Sequence, residues 1–296
     1  MGARISQALR HELTFFAFVL LWIVGLLAFT VFPFFASLAM SFTSYNMLSP
    51  PKYIGVDNYL NVFADGVFRT SLKATLIYML VVAPGRLVIA LGIAILLNRK
   101  IFARNVFRSI FYIPSVATTI AVALLWQSIF NADFGLLNTA LKYIGIEGPG
   151  WLISTRWALP SLIIMSLWNI GVPMVIFLAG LQSISPTYYE VASIDGAGAW
   201  HKFRHVTFPM LSSIIFFNLV LQIIICFQTF TEAFILTGGG PGDSTRLYAL
   251  FLYQTAFRYF AMGKASALAW LLFILLFVIT IFLFKTSNRW VYYASE

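Results

Sequence analysis

Residues 185–209 read SPTYYEVASIDGAGAWHKFRHVTFP, from Ser185 to Pro209, a polar, charged and Gly-punctuated insert between two long apolar runs. Ser185 can cap the free N–H groups of a new helix, and Pro186 falls at the first helical position, where its missing N–H costs nothing. That helix is expected to carry Tyr188, Tyr189, Glu190, Val191 and Ala192. It should stop at Gly196 and Gly198, whose freedom at positive φ allows a sharp turn. A second short helix then presents Trp200 and Phe203 on one face, with His201, Lys202, Arg204 and His205 around the others. Pro209 opens the next apolar run. The expected product is a compact helix-turn-helix standing out of a membrane protein.

The flanks set the class. The chain is 60% hydrophobic and 10% charged, with a mean hydropathy of +0.88, against roughly 45–50% apolar and 25% charged in a soluble domain. The net charge of +9 would suit nucleic acid if it formed a stripe on a soluble domain, but the basic residues are scattered along chain ends and loops. Positive-inside topology accounts for them better. The single Cys226 lies in an apolar run, so an intramolecular disulfide is impossible and the redox compartment is not indicated.

Six apolar runs, at about residues 13–40, 71–97, 109–130, 157–181, 210–237 and 265–285, are each long enough for the ~20 residues that cross ~30 Å of hydrocarbon. The first is too long for the core of a cleaved signal peptide and is expected to be retained. Pro160 and Pro173 can each kink the fourth. The predicted fold class is therefore all-α integral membrane, one transmembrane domain over residues 1–296 with both termini on one side. With the Met1–Glu12 head inside, the inner segments hold ten Lys and Arg (Arg4, Arg10, Arg99, Lys100, Arg104, Arg108, Lys202, Arg204, Lys285 and Arg289) and the outer ones eight. The acid-free loop Asn98–Arg108 points the same way and places the Ser185–Pro209 insert in the cytoplasm.

The insert resembles a family signature. Glu190, Val191 and Ala192, then Gly196 after three residues, then Val206, Thr207, Phe208 and Pro209 after nine more, look like the EAA motif of inner-membrane permease subunits of ABC importers. Val191, Val206 and Phe208 depart from the usual letters, apolar for apolar. YIGVDNYLNVF (Tyr53–Phe63), FGLLN (Phe134–Asn138) with Trp151 and Leu152, and LTGGGPGDSTRLYALFLYQTAF (Leu236–Phe257) are similar to outer loops of the carbohydrate-uptake branch, closest to the first of the paired maltose-type or glycerol-phosphate-type permeases.

The resemblance implies a type I importer permease fold of six transmembrane helices, with a cytoplasmic coupling helix that docks on a separate ATPase. It implies as partners a second homologous permease, two ATPase subunits, an extracytoplasmic solute-binding protein and membrane lipid. It also implies a bacterial or archaeal cytoplasmic membrane, and no cofactor in this chain, ATP and Mg being held by the ATPase. Glu190, Ala192, Gly196, Trp200, Phe203 and Pro209 are the implied coupling residues.

For a solute path, Asn218, Gln222, Gln228, Thr229 and Glu232 fall within about 120° of arc on a continuous fifth helix, a polar face on an apolar rod. Such side chains are costly in lipid and turn toward a bundle interior or wet cavity, although they also cross-link helices without any solute. Trp168 and Asn169 on the fourth run offer an indole face for sugar C–H surfaces and an amide for hydroxyls, or plain packing. Arg86, near the middle of the second run, reads either as a sensor of an acidic solute or as a group bonded to helix carbonyls or a polar residue near Gln222. On straight helices it lies roughly 16 Å in depth from Glu232, too far for an ion pair.

His201 and His205 have metal-ligand spacing but lack a third and fourth ligand. No GxxxxGK[ST], HExxH, GxSxG or CxxC occurs, so the chain is not expected to be an enzyme and its energy must come from a partner. An ion-gradient-driven transporter using Glu232 and Arg86 is one alternative. A membrane-embedded enzyme, which would need convergent polar groups at one depth, is another.

Overall fold

Apolar segments in lipid have no water to satisfy their peptide groups, so a chain of this composition closes its hydrogen bonds inside helices. The computed structural model, which describes residues 14–16, 18–99 and 101–292, is built almost entirely that way. In chain order the helices are α1 (Thr14–Ser41), α2 (Asp57–Ala64), α3 (Gly66–Asn98), α4 (Arg104–Val116), α5 (Thr119–Ile129), α6 (Leu136–Tyr143), α7 (Ala158–Leu167), α8 (Gly171–Ser183) and α9 (Pro186–Ile194). They continue with α10 (Ala199–Phe227), α11 (Thr231–Thr237), α12 (Tyr248–Tyr253) and α13 (Met262–Ser287). Among the described residues, α1, α3, α10 and α13 are long and apolar enough to cross a membrane, and the bent pairs α4–α5 and α7–α8 make six if each is one span. The Met1–Glu12 head with Arg4 and Arg10, Leu13 and Lys100 lie outside the described residues.

Three of the expected spans take a different form. The third, expected as one span over 109–130, bends by 99° between α4 and α5. Pro114 lies in the last turn of α4, and Thr118 starts the new helix by accepting from the Ala121 N–H at 3.4 Å. The fourth bends by 40° between Leu167 and Gly171. Pro173 explains this bend, because its ring meets the carbonyl of the residue four back, Asn169, where α7 can no longer continue. Pro160 sits in the first turn of α7, where no N–H is needed.

The fifth does not begin at 210. Helix α10 starts at Ala199 and runs unbroken to Phe227, so the second helix of the insert is the first stretch of the span. Pro209 lies inside it, two residues past a widened π-helical turn at Phe203–Thr207. A proline that lacks an N–H and crowds the preceding turn is relieved by such widening. The same pairing recurs in α1, where the wide turn Leu27–Val31 precedes Pro33.

By internal contacts the chain divides into residues 1–64 with 253–272, and residues 65–252 with 273–296. In the first unit a two-stranded ribbon pairs Thr43 with Tyr53 and Ser44 with Lys52. Asn58 of α2 ties the region by donating from one Nδ2 to the carbonyls of Ser41 at 2.8 Å and Thr43 at 2.9 Å. Gly263 belongs here because a Cβ would run into the Thr43 carbonyl oxygen. Trp270 packs against Phe34, ring centres 4.7 Å apart and planes tilted by 53°, and its indole N–H reaches Ser37 Oγ at 3.2 Å.

The second unit is built on α3. Its fully buried Ala83, Ala90 and Ala94 present a small-residue face that lets α8 and α10 come close, the means by which helices pack in a membrane. Leu87, Met174, Phe177, Leu181 and Leu211 fill the space between these helices. Glycines set the closest approaches. A Cβ on Gly85 would stand 2.7 Å from Leu167 Cδ2, one on Gly171 2.9 Å from Tyr112 Cα, and one on Gly180 2.9 Å from Leu211 Cδ2.

Candidate functional site

The insert owes its form to the spacing of Ala192 and Gly196. At the end of α9, Gly196 adopts φ +76°. The Ala197 N–H reaches the Ala192 carbonyl at 2.9 Å, and the Gly196 N–H reaches the Ser193 carbonyl at 3.1 Å. These are the two bonds of a Schellman cap, which require the left-handed residue four positions after the one that supplies the outer carbonyl. Pro186 is at the first helical position as expected, but Ser185 does not cap. Its side chain makes no bond to the helix N–H groups and instead donates to Thr187 Oγ1 at 3.2 Å.

Side chains bind the two legs of the turn together. Lys202 Nζ donates to Ser193 Oγ at 2.6 Å, and the Tyr189 and Thr207 hydroxyls lie 3.1 Å apart. Trp200 and Phe203 stack at 5.5 Å with Trp200 69% exposed, so the indole offers its surface outward rather than to the helices behind it. His201 and His205 are stacked at 4.4 Å, and among the described residues no third metal-ligating side chain joins them. Glu190 is exposed at the edge of a groove of about 420 Å³ that Asn98, Gln182 and Ser193 also line.

A second site forms where helices are interrupted. The breaks at 117–118, 168–170 and 228–230 separate α4 from α5, α7 from α8 and α10 from α11. Residues beside all three line one pocket: Pro114, Ala117 and Thr119; Ser166 and Asn169; and Glu232, together with Arg86 from α3. The first two breaks are joined directly, Ser115 Oγ donating to Asn169 Oδ1 at 2.8 Å. The pocket holds only about 20 Å³, room for about one water.

Arg86 is 6% exposed. Its Nε donates to the Ser166 carbonyl at 2.7 Å and its Nη1 to Gln222 Oε1 at 3.2 Å. The same carbonyl accepts the Asn169 N–H at 3.3 Å, while the α7–α8 break diverts the Ile170 N–H to the Trp168 carbonyl at 3.1 Å, instead of the helical bond four residues back. Beside it, the Tyr78 hydroxyl lies 2.7 Å from Ser166 Oγ and 3.5 Å from Thr229 Oγ1. The breaks at 168–170 and 228–230 are thus tied to α3 by buried polar bonds, as irregular backbone at membrane depth requires.

The polar residues expected on one stripe separate into groups. Since α10 ends at Phe227, Gln228, Thr229 and Glu232 are not on the helix that carries Asn218 and Gln222, and the continuous 120° face does not exist. Asn218 (1% exposed) turns to its own helix, donating to the Ile214 carbonyl at 3.0 Å. Thr229 is buried and Gln228 exposed. Glu232 and Arg86 nevertheless line one pocket, which the depth separation inferred from straight helices did not allow for. No ion pair joins the two among the described residues.

Trp168 is 41% exposed, with its ring centre 5.9 Å from that of Trp126. Trp126, Ser166, Ser115 and Pro114 were not anticipated. The indole N–H of Trp126 is enclosed without a partner. Pro114 was the one signal available, a proline inside a run read as one span.

The chain from residue 86 to 292 matches the family described as the binding-protein-dependent transport system inner membrane component. It is 45% identical to the probable ABC transporter permease protein YesP of Bacillus subtilis, across 98% of this chain and 96% of that one. It is 31% identical to the probable starch degradation products transport system permease protein AmyD of Thermoanaerobacterium thermosulfurigenes, across 97% and 98%. In fold it is similar to a crystal structure of a bacterial ABC transporter involved in import of the acidic polysaccharide alginate. The TM-score there is 0.81, with 23% identity over 97% of this chain and 99% of that one.

Proposed function

The chain belongs to the family of binding-protein-dependent transport system inner membrane components, and on that premise we propose that it forms half of the translocation path of an ATP-driven importer for a sugar or sugar derivative. The observation that carries this reading is continuity. One helix, α10, begins in the exposed insert and ends beside the pocket where three broken helices meet. A force applied to the insert therefore reaches the pocket along a single rod.

In this reading the ATPase subunits grip the insert through Glu190, Trp200 and Phe203, while Ala192, Gly196 and Pro209 hold its shape. Asn169 and Glu232 in the pocket, with Trp168 and Gln228 beside it, face the solute; Arg86, Gln222, Thr229 and Asn218 stand behind them. The pocket is nearly closed here, as an alternating-access cycle requires of one of its states. A solute-binding protein delivers from outside, a second permease supplies the other half of the path, and both chain ends face the cytoplasm. The sugar class is supported by the likeness of the loops at 53–63 and 236–257 to those of carbohydrate permeases, and by the starch degradation products of which the name of AmyD speaks. Membership of this family favours this reading over the ion-driven and enzymatic alternatives.

The test is reconstitution. The complex purified through this chain is expected to bring an ATPase and to take up radiolabelled maltooligosaccharide or another member of a sugar panel only with ATP and its binding protein. A purified complex with no ATPase, or one that transports on an ion gradient alone, would exclude the proposal.

A further inference from the structure

Gln222 lies on α10 at roughly 35 Å from its start at Ala199, taking 1.5 Å per residue. It meets Arg86 there, and Arg86 in turn holds the Ser166 carbonyl at the α7–α8 bend. We infer that Arg86 is a positioning residue, the latch through which movement of the insert is handed from α10 to the kinked α7–α8 pair. This inference rests on the importer reading above.

Three observations carry it. First, Arg86 is almost wholly enclosed and its Nε and Nη1 bonds go to neutral acceptors on two different elements, so it bridges them to α3 rather than presenting itself to a solute. Second, the Ser166 carbonyl accepts from Arg86 and also from the Asn169 N–H at 3.3 Å, a bond made where α7–α8 bends, so the Arg86 contact sits at the point where that pair changes direction. Third, Glu232 lines the same pocket, and among the described residues no ion pair engages its carboxylate. A buried guanidinium is stabilised far more by a carboxylate than by amide oxygens once water is excluded. Arg86 thus has two sets of partners: Ser166 and Gln222 in the present state, and Glu232 after α10 has shifted. An exchange of partners makes the element two-state, which transmission between distant sites requires.

The inference is tested on the whole importer in liposomes, with its ATPase and binding protein, by measuring ATP hydrolysis without solute. In wild type the latch opposes the shift, and hydrolysis waits for the loaded binding protein. Arg86→Lys cannot hold two acceptors at once, and Gln222→Leu removes one. Each is expected to raise basal hydrolysis about fivefold or more, with the double variant no higher than either single. Gln222→Glu, which strengthens the bond, is expected to lower it below wild type. A fold defect would lower all of them, so opposite signs at one position separate a latch from mere support. Unchanged or reduced basal hydrolysis in Gln222→Leu, or additive increases in the double variant, would overturn the latch. If Arg86→Lys does not assemble, the two Gln222 variants decide alone. A wild-type complex whose hydrolysis ignores the binding protein would instead count against the importer reading.

Discussion

Gly196 shows how much one residue carries. Nothing lies within 4 Å of where its Cβ would be, yet its φ is +76°, so the whole cost of a substitution is conformational. Asn tolerates the left-handed region and a β-branched residue does not. Gly196→Asn is accordingly expected to keep most ATP-driven uptake. Gly196→Val, with strain of about 1–3 kcal/mol at the turn, should lose about nine-tenths of it, measured in proteoliposomes; equal uptake by the two variants would disprove the role of the turn. Glu190 is the opposite case. It is exposed, and among the described residues no hydrogen bond or ion pair engages its carboxylate. Glu190→Ala should leave thermal stability within about 0.5 kcal/mol of wild type while uncoupling hydrolysis from uptake. Its letter was legible in the sequence. The Ala192-to-Gly196 spacing was legible too, because a Schellman cap is a local arrangement of six residues.

Among elements, the breaks matter more than the rods. Gly171 opens α8 against the backbone of α4, with Tyr112 Cα 2.9 Å from where a Cβ would sit. Gly171→Val must push α8 away, and backbone cannot yield as a flexible side chain can. A loss of about 1–3 kcal/mol is expected, read as an earlier thermal transition in detergent. In the first unit, Asn58 satisfies two carbonyls between α1 and α2. Asn58→Asp replaces the donor by an acceptor, leaves both carbonyls unpaired and should cost about 1–3 kcal/mol or more. Protease sensitivity at residues 43–57 that remains at wild-type level would refute this. Such elements were only half readable. Runs of apolar residues announced the spans, but the 99° bend did not show itself, since Pro114 in a helical run can end, kink or be absorbed.

At the scale of the molecule, membership of the family and the long apolar helices make the chain a membrane component that works with others. Its placement in the membrane is testable with its own chemistry. Cys226, the single cysteine, is fully buried, so an introduced thiol is the one reactive site. Ile194→Cys, at a position 86% exposed, should react with a membrane-impermeant maleimide in inside-out vesicles and stay unlabelled in intact cells. Labelling from outside would invert the topology and remove the insert from any cytoplasmic ATPase. Composition, six apolar runs and the Glu190-to-Pro209 spacing determined by themselves that the chain is helical and membrane-embedded and carries a capped insert, because hydropathy and capping depend on neighbours within a few residues. Only the tertiary structure decided that α10 continues through the insert, that Glu232 and Arg86 line one pocket, and that three interruptions meet there. Those depend on where distant segments lie in space, and a one-dimensional pattern that assumes straight helices has no means of placing a break at 168–170 next to one at 228–230.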